Sequence, residues 1–276
     1  MTLPLLPEIS LERRKFALFA TLDRPQAKNA LSAAMVEGLF TLCDYLERTP
    51  DIRALVLRGA GDTFCAGGDI KDFAAQLAAP EPAPGARDPV AAANRRFGAL
   101  LMRLDALPQA VIAVVEGAAF GGAMGLVAVS DIAIAEEEAK FALSETTLGL
   151  PPAQIAPFVA RRIGLFHARK FALTGERFGA ETAWNIGLVS YVEQKDRLDA
   201  LVEAALNQIG RCEPAANAVT KRLLTRAAGV VDPALLDAAA EAFARCLRAK
   251  GREGAAAFAA KRPPEWVETY KERGDG

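Results

Sequence analysis

Phe64-Cys65-Ala66-Gly67-Gly68-Asp69-Ile70-Lys71 and, further along, Phe120-Gly121-Gly122-Ala123-Met124-Gly125 are two glycine turns of one kind. Each follows an apolar run of strand length, Ile52–Arg58 for the first and Ala110–Val115 for the second, and each opens a helix-like segment. Such a turn leaves backbone N–H groups without intrahelical acceptors at a helix N-terminus, where the dipole favours negative charge. Neither stretch has the GxGxxG or GxxxxGK[ST] spacing, so dinucleotide and nucleotide-phosphate readings are weak. A single glycine turn is usually only a turn. Two of them at the C-terminal ends of strands in one α/β core raise the prospect of a paired oxyanion site.

Outward from these turns, strand-like and helix-like segments alternate. Phe16–Leu22 reads as a strand, and Ser32–Arg48 carries apolar residues at Val36, Leu39, Phe40, Cys43 and Leu46, with Ser32 suited to the N-cap. Strand, helix, strand in that order predicts right-handed crossovers and a mostly parallel sheet. A short helix is expected from Asp69 to about Ala78. Ala79–Pro89 (APEPAPGARDP) is too rich in proline for regular structure, and reads as a surface loop or a flap over a site. Helices over Ala91–Leu107 and Ala123–Val129 and strands at Asp131–Ala135 and Lys140–Leu143 follow. From about Asp196 the pattern is helical, punctuated by Pro214, Pro233, Gly251 and Pro263-Pro264. This places an α/β core in residues 1–200 and a helical region in residues 201–276.

Composition narrows the function classes. With 276 residues the chain buries about 75% of its unfolded surface, so no metal or disulfide staple is required. Thirty-three Lys and Arg against 34 Asp and Glu leave a formal charge of −1, which supplies no basic field for nucleic acid. Cys43, Cys65, Cys212 and Cys246 lack CxxC spacing, and with no secretory-type start they read as reduced thiols in a cytoplasmic protein. No apolar run approaches the length of a membrane span. The single histidine, His167, removes most metal-site and Ser-His-Asp schemes.

FCAGGDIK, VEGAAFGGAMGL with SDIAIA, KFALSETTLGLPP, LTGERFGAETAWNIGLV and EGAAAFAAKRPPEW, in that order, resemble the crotonase (enoyl-CoA hydratase/isomerase) family from Phe16 to Trp266. The resemblance implies an α/β spiral of ββα units with a helical C-terminal trimerisation region, assembled as a homotrimer or hexamer. It also implies an acyl-CoA thioester substrate, with coenzyme A carried on that substrate and no separate cofactor. By motif position, the N–H groups of Gly68 and Gly122 would hold the thioester oxygen. Ala66, Gly68, Asp69, Ile70, Lys71, Gly122 and Gly125 fall where family members contact the substrate.

Attack at the β-carbon, or loss of an α-proton, moves charge onto the thioester oxygen as an enolate. Two preorganised donors in a dry site each lower that barrier by roughly 3–4 kcal/mol. No metal is then needed. Two-carboxylate family members carry glutamates at the positions of residues 125 and 145. Here the first is Gly125 and the second is Glu145. That leaves Glu145 as the one side-chain acid–base group, with the substrate's own carboxylate or a second water as the other proton carrier.

The local wording is most similar to bacterial hydratases of 3-methylglutaconyl-CoA and isohexenylglutaconyl-CoA, in leucine and acyclic terpene breakdown. Gly125 would spare such a carboxylated substrate a second buried charge and make room for it. A single-glutamate enoyl-CoA isomerase and a non-catalytic CoA-binding scaffold are the alternatives. Arg24 and Lys28 align with a family loop near the CoA phosphates, or belong to a solvated loop. Cys65 reads as packing, His167 as a surface or capping residue, and Trp184 and Trp266 as core or interface anchors.

Overall fold

The computed structural model describes residues 2–69, 85–86, 88–226, 250 and 252–270. Ile70, Lys71, the helix expected after Asp69, most of the Ala79–Pro89 loop, Pro233, Cys246 and Gly251 lie outside the described residues.

A six-stranded sheet forms the centre, in the order β1 (Ile9–Arg14), β2 (Ala17–Leu22), β3 (Ala54–Gly59), β4 (Ala110–Val115), β6 (Ile132–Glu136) and β9 (Tyr191–Glu193). Only β1 and β2 pair antiparallel, from Ile9 opposite Leu22 to Arg14 opposite Ala17, and the rest of the sheet is parallel. The parallel strands β2, β3 and β4 coincide closely with the runs legible in the sequence. The edge strand β1 escaped that reading because Glu12, Arg13 and Arg14 interrupt its apolar alternation at an exposed edge. A second sheet, β5 (Ala118–Phe120), β7 (Lys140–Ala142) and β8 (Phe178–Gly179), stands beside the first.

Helix α1 (Ala33–Glu47) crosses from β2 to β3, and α2 (Pro89–Ala106) leads into β4. Ser32 caps α1 as expected: its Oγ accepts the Met35 N–H at 3.0 Å. Helix α3 (Gly122–Val129) follows β5, and α4 (Ala156–Thr174) is broken at Gly164, whose φ of 75° is not helical. α5 (Ala180–Asn185), α6 (Leu198–Gly210), α7 (Pro214–Arg226) and α8 (Arg252–Ala259) complete the described chain.

Strand alternation sorts the core into two layers. Leu18, Ala20, Leu55, Leu57, Val111 and Ala113 face α1, α2 and α3. Phe16, Phe19, Val56, Ile112, Val114 and Ile134 face Leu198, Val202, Leu206 and Ile209 of α6, together with Tyr270. Helix α6 therefore spans the boundary set at residue 200 and covers one face of the sheet. Trp266 ties the C-terminal segment down: its Nε1–H donates to Arg211 O, and its carbonyl accepts from Arg53 at 2.7 Å.

Candidate active site

The two glycine turns meet. Residues 65–69 run between two neighbours, with Cys65 bridged to Ala119 of β5 on one side and Gly68 bridged to Leu31 on the other. Leu31 donates to Gly67 O at 2.8 Å and accepts from the Asp69 N–H at 3.1 Å. In such a parallel bridge the middle residue turns its own N–H the opposite way. The Gly68 N–H thus faces the side on which β5 continues into Gly121 and Gly122. Gly122 is the first residue of α3, where an N–H has no intrahelical acceptor. Among the described residues no backbone acceptor takes either N–H.

Glycine is required where these turns touch. Gly67 (φ 102°) would set a Cβ 2.9 Å from Phe120 O, and Gly121 (φ 52°) adopts a left-handed conformation disfavoured for other residues. Among the described residues no atom lies within 4 Å of the Gly68 Cβ position. At Gly122 the Leu31 and Phe97 side chains lie 3.0 and 3.5 Å from that position and form an apolar border.

Glu145 is brought to the same point by β7 and the 3-10 turn Glu145–Leu148. Its Oε1 lies 3.1 Å from the Cβ position of Gly121. Its Oε2 is buried and has no hydrogen-bond partner among the described residues. Burial pushes the Glu145 carboxyl above the ordinary carboxylate range, against a smaller lowering by its own backbone N–H. A desolvated carboxyl with a spare oxygen beside two glycine turns has the make-up of a general acid–base group.

Gly125 sits in α3 with its Cβ direction filled: Ile155 Cγ2 and Leu101 Cδ1 stand 2.7 and 2.9 Å away. The room that the loss of a side chain was expected to leave is taken by these buried apolar side chains, because α2 and the start of α4 close over α3. Gly125 thus meets protein in that direction. Ala66 is half-buried and donates to Lys28 O at 2.9 Å.

Asp69 is turned to Arg24, whose Nη1 approaches its Oδ2 at 2.7 Å, so a substrate contact from Asp69 falls to its backbone. The same guanidinium donates to Ala30 O and pairs with Glu8 at 2.9 Å. Arg24 is therefore spent inside the protein rather than held out for a CoA phosphate, whereas Lys28 is exposed. Buried Asn29, at φ 53°, holds the turn by donating to Ala60 O and Thr63 O at 2.9 and 2.6 Å. Sequence reading passed over this residue, and an asparagine ahead of a helix cap gave no sign of it.

Cys65 is fully buried and its thiol is pushed up to about 12 by desolvation, which leaves it inert. His167 rests on the Phe166 ring, and Trp184 is exposed on α5. Among the described residues there is no cluster of metal-ligating side chains and no helix long and apolar enough to cross a membrane.

Comparison with known proteins assigns the family. The family model for enoyl-CoA hydratase/isomerase matches residues 15–269. The chain is 33% identical over 263 residues to mevalonyl-coenzyme A hydratase SIDH of Beauveria bassiana, covering 91% of each chain. Two solved structures superpose with a TM-score of 0.90. AtuE of Pseudomonas aeruginosa is 46% identical over 95% of this chain and 100% of that one. An enoyl-CoA hydratase/isomerase from Marinobacter aquaeolei is 45% identical over 95% and 99%. The motifs quoted from the sequence, the fold they produce and these matches agree, and the chain belongs to the enoyl-CoA hydratase/isomerase (crotonase) family as an acyl-CoA hydro-lyase.

Proposed function

We propose that this enzyme adds water to, or removes it from, a branched glutaconyl-CoA such as 3-methylglutaconyl- or isohexenylglutaconyl-CoA. Gly68 and Gly122 act as oxyanion donors and Glu145 as the side-chain acid–base group. The observation that carries the reading is the unpartnered, buried Glu145 Oε2 beside the junction of the two glycine turns. In hydration, water oxygen bonds to the β-carbon and its proton passes to Glu145. The double-bond electrons move onto the thioester oxygen as an enolate, which collapses as the α-carbon takes a proton from a second water or the substrate's own carboxyl group. Glu145 then returns its proton to that carrier. With Gly125 backed by Leu101 and Ile155, position 125 places no carboxylate against a substrate that bears its own.

The chain's place as a reduced-thiol, cytoplasmic enzyme and its assembly as a homotrimer or hexamer belong to the same proposal. The free thiols Cys43, Cys65 and Cys212 support the first. Exposed Phe166, Leu165, Leu173 and Trp184 support the second, and they add α4 and α5 to the helical region 201–276 as contact surfaces.

Hydration of 3-methylglutaconyl-CoA, isohexenylglutaconyl-CoA and crotonyl-CoA, followed side by side, tests the substrate class. Higher kcat/KM for the carboxylated thioesters is expected, and equal or better activity on crotonyl-CoA would sink it. A lone carboxylate also suits a double-bond shift. Turnover of a 3-enoyl-CoA without hydration would make the enzyme an isomerase.

A further inference from the structure

We propose that Arg24 is a positioning residue for the Gly68 N–H, acting through Asp69; this rests on the reading of Gly68 as an oxyanion donor. Gly68 is the least constrained residue type, and among the described residues no atom lies within 4 Å of its Cβ position to pack it in place. Its orientation therefore comes from its flanks. One flank is the Leu31 bridge to Gly67 and Asp69. The other is the Asp69 side chain, which is 8% exposed and lies 2.7 Å from an Arg24 guanidinium that is itself 14% exposed.

Arg24 is in turn fixed at three further points. Its backbone N–H donates to Asn29 Oδ1 at 2.9 Å, its Nη1 to Ala30 O at 2.7 Å and its Nε to Glu8 Oε1 at 2.9 Å. The second Glu8 oxygen accepts from Ser32 Oγ at the cap of α1. The turn after β2, the start of α1 and the strand carrying Gly68 are thus joined through one guanidinium.

Charge gives Arg24 a second task. Asp69 holds a carboxylate one residue from a site where negative charge must develop on the thioester. A carboxylate there opposes the enolate, and the Arg24 guanidinium 2.7 Å away offsets it. Arg24 also pairs with Glu8, so the strength of its link to Asp69 is read from the non-additivity of the two removals in a double-mutant cycle.

The test compares Arg24→Met, Asp69→Ala, the double variant, Arg24→Lys and Gly68→Pro. Turnover is measured with whichever of the three thioesters above is fastest, and carbonyl polarisation is read from the absorption shift of bound cinnamoyl-CoA. That shift reports only on folded, liganded protein. Arg24→Met and Asp69→Ala are each expected to lower kcat about tenfold, to change KM less than threefold and to shrink the shift. The double variant should fall no further than either single. Arg24→Lys keeps the charge with fewer donors and should lie between wild type and Arg24→Met; it stands in if Arg24→Met does not fold.

A full absorption shift in Arg24→Met (or in Arg24→Lys, where only that variant folds), or losses that add in the double variant, would overturn the positioning role. Gly68→Pro separates the two levels. If it loses the shift while Arg24→Met keeps it, only the role of Arg24 falls. If Gly68→Pro keeps both shift and turnover, Gly68 is not a donor and the underlying reading fails.

Discussion

At the scale of single residues, the acid–base role proposed for Glu145 comes with a cost in stability. Glu145→Gln keeps the side chain's size and removes its basicity, so kcat should fall by about 10²–10⁴ with little change in KM. Steady-state kinetics on the preferred thioester decide this; an unchanged kcat would favour a scaffold. Because burial raises the Glu145 carboxyl, the acid limb of kcat/KM should have its midpoint above the ordinary value of about 4.3. A pH–rate profile with a midpoint at or below that value would contradict the placement. The same shift fixes the sign for stability. The native state binds the Glu145 proton more tightly than the unfolded chain does. Stability therefore falls as pH rises from the ordinary carboxylate range through the raised native value, and the penalty is complete above it. Glu145→Gln should raise Tm at pH 7 to 8, with the gain vanishing below about pH 4. Calorimetry at both pH values checks it.

At the scale of elements, α3 is the piece whose sequence is most tightly dictated by its neighbours. Gly122 opens it with a free donor, and Gly125 lets α2 and the segment entering α4 close on it. Gly125→Ala gains up to about 1 kcal/mol of helix propensity and loses roughly 1–3 kcal/mol to overpacking against Leu101 and Ile155. A net loss of about 1 kcal/mol is expected in urea unfolding at unchanged m-value. Gly125→Glu adds a carboxylate among apolar side chains and should cost on the order of 3 kcal/mol or more. A Gly125→Glu protein as stable as wild type would show that this contact yields easily.

For the whole molecule, the exposed apolar side chains of α4 and α5 ask for a partner surface. Phe166, Leu173 and Trp184 stand out among the described residues, whose large apolar side chains are mostly buried. Multi-angle light scattering at micromolar concentration should return three or six times the chain mass. Phe166→Glu combined with Trp184→Glu should shift the population toward smaller species. A wild-type monomer would exclude the assembly.

The sequence by itself determined the strands β2, β3, β4, β6 and β7, the cap at Ser32 and the two glycine turns, because each is a local pattern. Glu145 was marked by its place in the family motif, and the short strands β5 and β9 went unread. Strand runs, capping oxygens and left-handed glycines act over a few residues, and their order along the chain carries the family likeness. What lies across the fold was decided only by the tertiary structure. No spacing in the chain joins Arg24 to Asp69, sets Ile155 and Leu101 against Gly125, or shows that Asn29 holds the first turn. The edge strand β1 and the role of α6 were also hidden, since charged residues at an exposed edge and a helix crossing residue 200 give no periodic sign of what they pack against. Chain-local chemistry is written in neighbouring residues. Burial, ion pairing and a raised carboxyl depend on which distant segments exclude water together, and that is a property of the folded molecule alone.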